Sequence, residues 1–342
     1  MEAPLLEAKN VTKIFGGGLF NKNVTVALEN YSMQLHESPP SITAVVGESG
    51  SGKTTLARLL LGLITPTSGV VAYRGLSLAT MGGSDWRRFR REVQVIMQDP
   101  YEVYNPFYKV DHVLTTPIDH FGLAKSKAEG RAMIEQALEA VGLRVEETLG
   151  RYPHQLSGGQ RQRVMVARAL LLRPKVILAD EPVSMIDASL RATILGSLSR
   201  LNREFGISIL YITHDLTTAY QIGENIVVLY RGAVAELGEV GQVVKEPQHP
   251  YTRLLVGSIP LPDPNHSWSA EAASSGVKIT RGVGCKFADR CPSAMERCAR
   301  EEPPLFQTGD HRAAACFLYE GAPTLKPEHM ANVFVSGTIA AA

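Results

Sequence analysis

Ile42-Thr43-Ala44-Val45-Val46 runs into Gly47-Glu48-Ser49-Gly50-Ser51-Gly52-Lys53-Thr54-Thr55, and a helical run continues to Leu63. Five apolar-rich residues stopped by glycine read as a buried strand, and the G-x-x-x-x-G-K-[ST] pattern between strand and helix reads as a loop built to cradle phosphates. Its glycines let the backbone curl so that successive N–H groups, with the positive end of the following helix, surround anionic oxygens. Lys53 adds charge near the terminal phosphates, and Thr54 offers a hydroxyl to Mg²⁺. A merely glycine-rich turn is the bland alternative. The strand before it and the helix after it count against that.

Outward from this loop, further short apolar runs occur at Val93–Met97, Val176–Ala179 and Ile207–Thr213, with helical patterning between several of them. That alternation predicts an α/β fold around a mostly parallel sheet. Between Pro100 and Tyr152 strands give way to helical pattern, notably Lys125–Val141, where Ala132, Ile134, Ala137, Leu138 and Val141 share a helical face. An inserted helical subdomain spanning residues 99–165 is expected there. Ile226–Leu237 reads as a hairpin turning at Arg231-Gly232, and prolines at 247, 250, 260, 262 and 264 then punctuate the chain. The expected organisation is a core over residues 1–246, a C-terminal extension over 247–320 and a poorly ordered tail over 321–342. The small polar stretch Ser267–Gly276 has linker composition.

Composition narrows the function classes. A chain of 342 residues with 44% hydrophobic and 20% charged residues describes a folded protein, with room for more than one domain. Its 35 Lys+Arg against 34 Asp+Glu leave no basic excess, which disfavours nucleic acid as a partner. The start, MEAPLLEAKN, lacks the basic and long apolar segments of a secretory signal, so a cytoplasmic chain is expected. The most apolar stretch is broken by Arg168, Arg173 and Lys175, so membrane association is expected through a partner.

Two further motifs carry chemistry. Val176-Ile-Leu-Ala-Asp180-Glu181-Pro182 is an apolar strand ending in two carboxylates. Taken alone the acid pair reads as a solvated loop, but it looks like a Walker B motif, which implies Asp180 toward Mg²⁺ and Glu181 polarising the attacking water. Leu156-Ser157-Gly158-Gly159-Gln160 precedes a run, Val164–Leu172, with helical composition, so Ser157 and the glycines sit where a helix start favours an anion. Leu-Ser-Gly-Gly-Gln resembles the signature of ABC ATPases. The order of motifs is similar throughout: phosphate loop Gly47–Thr54, Gln98, signature Leu156–Gln160, acidic strand Val176–Glu181, Ser184–Asp187 and His214.

The resemblance implies a P-loop NTPase core of the ABC ATPase type that binds and hydrolyses ATP with Mg²⁺. It implies Glu181, His214 and Gln98 as catalytic residues, with Thr54, Gln98 and Asp180 toward Mg²⁺. Nucleotide contacts are implied for Gly47, Glu48, Ser49, Gly50, Ser51, Gly52, Lys53, Thr54, Thr55, Ser157, Gly158, Gly159, Gln160 and Asp187. Phe15 is the candidate for stacking on adenine, with Phe20 near enough to compete. In this family ATP is sandwiched in a head-to-tail dimer between one chain's phosphate loop and the other's signature. Met185 and Ile186 depart from the usual Ser-Ala-Leu-Asp wording, but Asp187 stands, so activity is expected.

Outside the shared core, Arg151-Tyr-Pro-His154, Gln98-Asp-Pro100, Asn105-Pro106 and Pro247-Gln-His-Pro-Tyr-Thr252 are similar to ATPases of oligopeptide/dipeptide importers. That resemblance implies a second, non-identical ATPase subunit, two transmembrane permease subunits and an extracytoplasmic solute-binding protein, with this chain at the cytoplasmic face of the membrane. Di- and oligopeptides are the implied cargo; oligosaccharides or nickel are alternatives, and a non-transport ATPase on nucleic acid or ribosomes is a different class. Cys285, Cys291, Cys298 and Cys316 are the only cysteines, spaced C-x5-C-x6-C-x17-C in a small module. In the subfamily such a quartet binds a [4Fe–4S] cluster. The thiols themselves also suit zinc or remain reduced and unligated.

Overall fold

The computed structural model describes residues 4–18, 21–99, 104–259 and 283–335. The chain divides into two compact units: one comprises Met1–His36, Ile42–Thr80 and Ile212–Ala342, the other Glu37–Ser41 and Met81–Tyr211. Pro100, Phe20 and the expected linker Ser267–Gly276 lie outside the described residues.

In the first unit, Ile42–Val46 pairs in parallel with Asn225–Tyr230, Thr43 opposite Asn225 and Val46 opposite Val228. Every residue of both strands is buried, as expected for strands covered on both faces. Asn225–Tyr230 turns into Ala233–Glu239 through Arg231 and Gly232, both at positive φ, 46° and 83°. Two left-handed residues in a two-residue loop make the turn whose twist matches the strands, so the expected hairpin is present. Ala233–Glu239 then pairs with Arg312–Ala314, which pairs with Leu305–Gly309, itself paired with Thr324–Leu325. A boundary near Glu246 therefore does not detach the C-terminal residues, whose strands continue the same sheet. A second, antiparallel sheet joins Asn21–Leu35, Leu6–Gly18, Ser68–Tyr73 and Leu76–Ser77 in that order.

The expectation of a poorly ordered tail fails for Gly321–Val335. Leu325, Met330 and Val333 are buried, and Pro327–Val333 forms 3-10 turns. The Asn225 side chain closes a reciprocal pair with the backbone of Val335, donating from Nδ2 at 3.0 Å and accepting at Oδ1 at 2.8 Å. An amide pair of this kind pins the segment to the end of a buried strand.

The second unit carries parallel strands Val93–Ile96 and Val176–Asp180 and a group of helices. Lys127–Ala140 is the helix expected over Lys125–Val141. It starts where Ser126 Oγ accepts the Glu129 N–H, and it buries Ile134, Ala137 and Leu138. It packs with Val110–Phe121 and Gly158–Leu171. No helix among the described residues is long and apolar enough to cross a membrane.

Candidate nucleotide site

The phosphate loop follows directly from the buried strand Ile42–Val46 and ends at Gly52, which starts the helix Lys53–Leu60. Side chains are excluded at two of its glycines. A Cβ on Gly47 (φ +156°) would lie 2.2 Å from the Leu229 carbonyl oxygen, and one on Gly52 (φ +107°) 2.3 Å from that of Ala27. The loop is therefore wedged against two neighbouring backbones. Within it Ser51 N–H donates to Glu48 O at 3.1 Å. Lys53, buried, donates from Nζ to the carbonyls of Gly47 and Glu48 at 2.7 and 3.0 Å, which keeps its charge inside the curl. Thr54 is exposed and Thr55 half-buried at the helix start.

The same unit carries Phe15, 43% exposed with the Lys13 ammonium 5.1 Å from its ring centroid, and His214, exposed just past the strand Ser208–Thr213. Asp215 caps the next helix, Leu216–Ile222, by accepting the Thr217 N–H.

The second unit brings Gln98 and Glu181 together: Gln98 Nε2 donates to Glu181 Oε2 at 3.1 Å. Glu181 follows the strand Val176–Asp180 with φ at +47°, a left-handed conformation costly for a side-chain-bearing residue. The Ser184 N–H and hydroxyl both donate to its carbonyl, at 3.2 and 3.0 Å, holding that turn. Asp180 is half-buried at the strand end, and Asp187 is exposed at the start of the helix Ala188–Phe205.

The signature lies at the N-terminus of the helix Gly158–Leu171, as expected. Ser157 Oγ accepts the Gln160 N–H at 3.2 Å while Gln160 Oε1 accepts the Ser157 N–H at 2.9 Å, a reciprocal capping box. One helical turn further, buried Gln162 donates to Met97 O at 3.1 Å, beside Gln98. Tyr104 Oη donates to Arg161 O at 2.8 Å. None of these supports was read from the sequence, although the Ser157-x-x-Gln160 pattern is itself a capping signal.

The four cysteines line one cavity together with His249 and Phe287. Burial pushes the Cys285 thiol up to about 12 and raises those of Cys291 and Cys316, with neighbouring thiols adding to the effect. Among the described residues no group of three or more His, Cys, Asp or Glu side chains is placed to hold a metal ion.

Residues 28–184 match the ABC transporter family, and residues 235–298 match the C-terminal region of the oligopeptide/dipeptide transporter family. The chain is 39% identical over 325 residues to the putative oligopeptide transport ATP-binding protein YkfD of Bacillus subtilis, covering 94% of this chain and 97% of that one. It is 38% identical over 283 residues to the oligopeptide transport ATP-binding protein OppF of Escherichia coli, covering 82% and 84%. A dimeric post-hydrolysis structure of the ATP-binding cassette MJ0796 with ADP and Pi superposes with a TM-score of 0.61 at 30% identity, over 69% of this chain and 98% of that one. The chain belongs to the ABC transporter family, among the ATP-binding proteins of the oligopeptide transport type.

Proposed function

We propose that this chain hydrolyses ATP to power import of di- and oligopeptides through membrane permeases. The observation that carries the reading is the Gln98–Glu181 hydrogen bond at the end of an acidic strand, in a chain that also holds a complete phosphate loop. Lys53 and the loop N–H groups bind the phosphates, and Phe15 stacks on adenine. Glu181 takes a proton from water as the water oxygen bonds to the γ-phosphorus and the bond to the bridging oxygen breaks, releasing ADP and phosphate. Gln98 orients Glu181 and the water, and His214 donates toward the charge growing on the γ-phosphate. Thr54 and Asp180 are the oxygen ligands suited to Mg²⁺, which offsets phosphate charge when bound.

The signature, exposed at Ser157, faces the ATP of a second subunit in this reading. Ser157 keeps its hydroxyl proton for that phosphate, because its cap uses the oxygen only as acceptor. A head-to-tail pairing with a non-identical ATPase, two permeases and a solute-binding protein would place the chain at the cytoplasmic membrane face. ATP closes such a pair only through tighter binding to the closed state. The names of the relatives support peptides over oligosaccharides or nickel as cargo.

The test is ATPase activity of the complex purified with its neighbouring transporter subunits and binding protein, with peptides, oligosaccharides or nickel as candidates. Peptide-stimulated hydrolysis lost in Glu181→Gln supports the reading. Stimulation by a sugar or nickel alone reassigns the cargo, and hydrolysis indifferent to Glu181→Gln sinks the catalytic assignment.

We also propose a [4Fe–4S] cluster held by Cys285, Cys291, Cys298 and Cys316. What supports the reading is that all four thiols line one cavity, together with the resemblance of their spacing to the quartet of this subfamily. Iron and sulfide in stoichiometric amount support it, while zinc or no metal defeats it. Cys298→Ser should lose iron and expose the C-terminus to protease; a variant unchanged in both removes the assignment.

A further inference from the structure

Glu48, inside the phosphate loop, is held by residues far along the same unit. Its N–H donates to Tyr251 Oη at 2.9 Å. Its carboxylate accepts two bonds from Arg290, Nη1 to Oε2 and Nη2 to Oε1, each 3.0 Å. Parallel bonds of this kind fix the plane of a carboxylate as well as its place.

Both holders are themselves braced. The Arg290 guanidinium lies over the rings of Tyr230 and Phe287, at 5.8 and 5.6 Å from their centroids, and Nη1 reaches Tyr230 Oη at 3.4 Å. Tyr251 is fully buried, its ring 4.4 Å from that of Tyr230 and 5.5 Å from that of Phe287. Phe287 and Arg290 lie in the short segment between Cys285 and Cys291. The four-cysteine module therefore reaches the phosphate loop through one guanidinium.

A carboxylate in a loop that receives a polyphosphate opposes its ligand unless it is neutralised, because like charges at short range raise the energy of the bound state. We infer that Arg290 and Tyr251 are positioning residues for nucleotide binding: Arg290 neutralises and orients Glu48, Tyr251 fixes the Glu48 N–H, and the cysteine module thereby sets ATP affinity. This rests on the loop being the ATP site. It assigns the module a part in the motor beyond its own stability.

The test measures ATP Kd, KM and kcat, with thermal melting alongside, for the full-length wild type, Arg290→Met, Arg290→Met/Glu48→Gln and Tyr251→Phe. Arg290→Met should raise Kd and KM roughly three- to tenfold with a smaller change in kcat, the scale of a partly exposed bidentate pair acting on a nearby anion. Removing the stranded charge in the double variant should recover most of that loss. Tyr251→Phe, which keeps the ring packing, should weaken ATP about two- to fivefold through one lost hydrogen bond. An Arg290→Met protein that melts lower yet binds ATP as the wild type does would overturn the inference. So would a double variant no better than the single one, or an unchanged Tyr251→Phe. Failure of the wild type to bind ATP would instead remove the reading of the loop.

Discussion

Gln98 and Glu181, 83 positions apart in the chain, meet through a 3.1 Å hydrogen bond from the amide Nε2 to the carboxylate Oε2. The bond fixes one carboxylate oxygen of the proposed base beside an amide donor. Glu181→Gln should keep ATP binding but slow phosphate release by about 10² to 10⁴-fold, the usual worth of a positioned general base. Gln98→Ala should cost less, on the order of tenfold, since it removes orientation and leaves the base. Single-turnover phosphate release beside nucleotide binding checks both. A Gln98→Ala loss as deep as that of Glu181→Gln would mean that the two act only as a unit.

Ser157 serves a cap with its oxygen, and in the proposed mechanism a phosphate with its proton. The two roles separate by substitution. Ser157→Ala should lose about 1 kcal/mol of stability with its cap and also weaken ATP-driven subunit pairing. Ser157→Asp keeps a capping acceptor, so its melting temperature should stay near that of the wild type, yet its negative charge should abolish pairing around ATP. Melting curves and sizing with ATP in the Glu181→Gln background measure this. Normal pairing by Ser157→Asp would remove the signature from phosphate contact.

Much of this architecture was legible in the sequence because it is local. Ile42–Val46 and the Arg231-Gly232 hairpin announce themselves by an apolar run and by turn chemistry, and Lys127–Ala140 by its buried face. The strands Leu305–Gly309 and Arg312–Ala314 were not, being too short and mixed to show a period and formed only by pairing at the sheet edge. Arg290 and Glu48 are 242 positions apart, and no spacing rule relates them. Pro247–Thr252 drew notice as a family resemblance, while the role of Tyr251 in it became visible only once its hydroxyl was seen on the Glu48 N–H.

Glu236 is wholly buried and accepts from the N–H groups of Gln248 and His249, at 3.1 and 2.8 Å, and from Arg312 Nη2 at 3.2 Å. Removing Arg312 leaves a buried carboxylate without its countercharge, so Arg312→Met should destabilise by roughly 3 kcal/mol. Burial raises the Glu236 carboxyl above its ordinary 4.5, with the N–H donors and Arg312 opposing the shift. The folded state then takes up this proton before the unfolded chain does as pH falls. The Glu236 contribution to stability should therefore improve as pH drops from neutral toward about 4.5, and be lost again as pH rises through the folded-state value. Urea unfolding of wild type and Glu236→Gln across that range isolates the effect as a difference. A difference that stays flat would place the carboxyl at its ordinary value.

Phe15 is exposed over 43% of its surface, with Lys13 held 5.1 Å from its ring centroid and donating to Thr65 O at 2.8 Å. An exposed ring beside an anchored ammonium suits a purine carrying phosphates, since the face stacks on the base while the cation draws the anion. Phe15→Ala should weaken ATP about fivefold to thirtyfold, corresponding to roughly 1 to 2 kcal/mol of stacking. Phe15→Tyr should bind nearly as the wild type does, because it keeps the π-face. GTP should suffer comparably, as stacking discriminates little between purines. Titration of fluorescent ATP and GTP analogues measures all three. Wild-type affinity in Phe15→Ala, with the loss appearing in Phe20→Ala, would move the stacking role to Phe20, the other aromatic residue within reach of this strand end in the sequence.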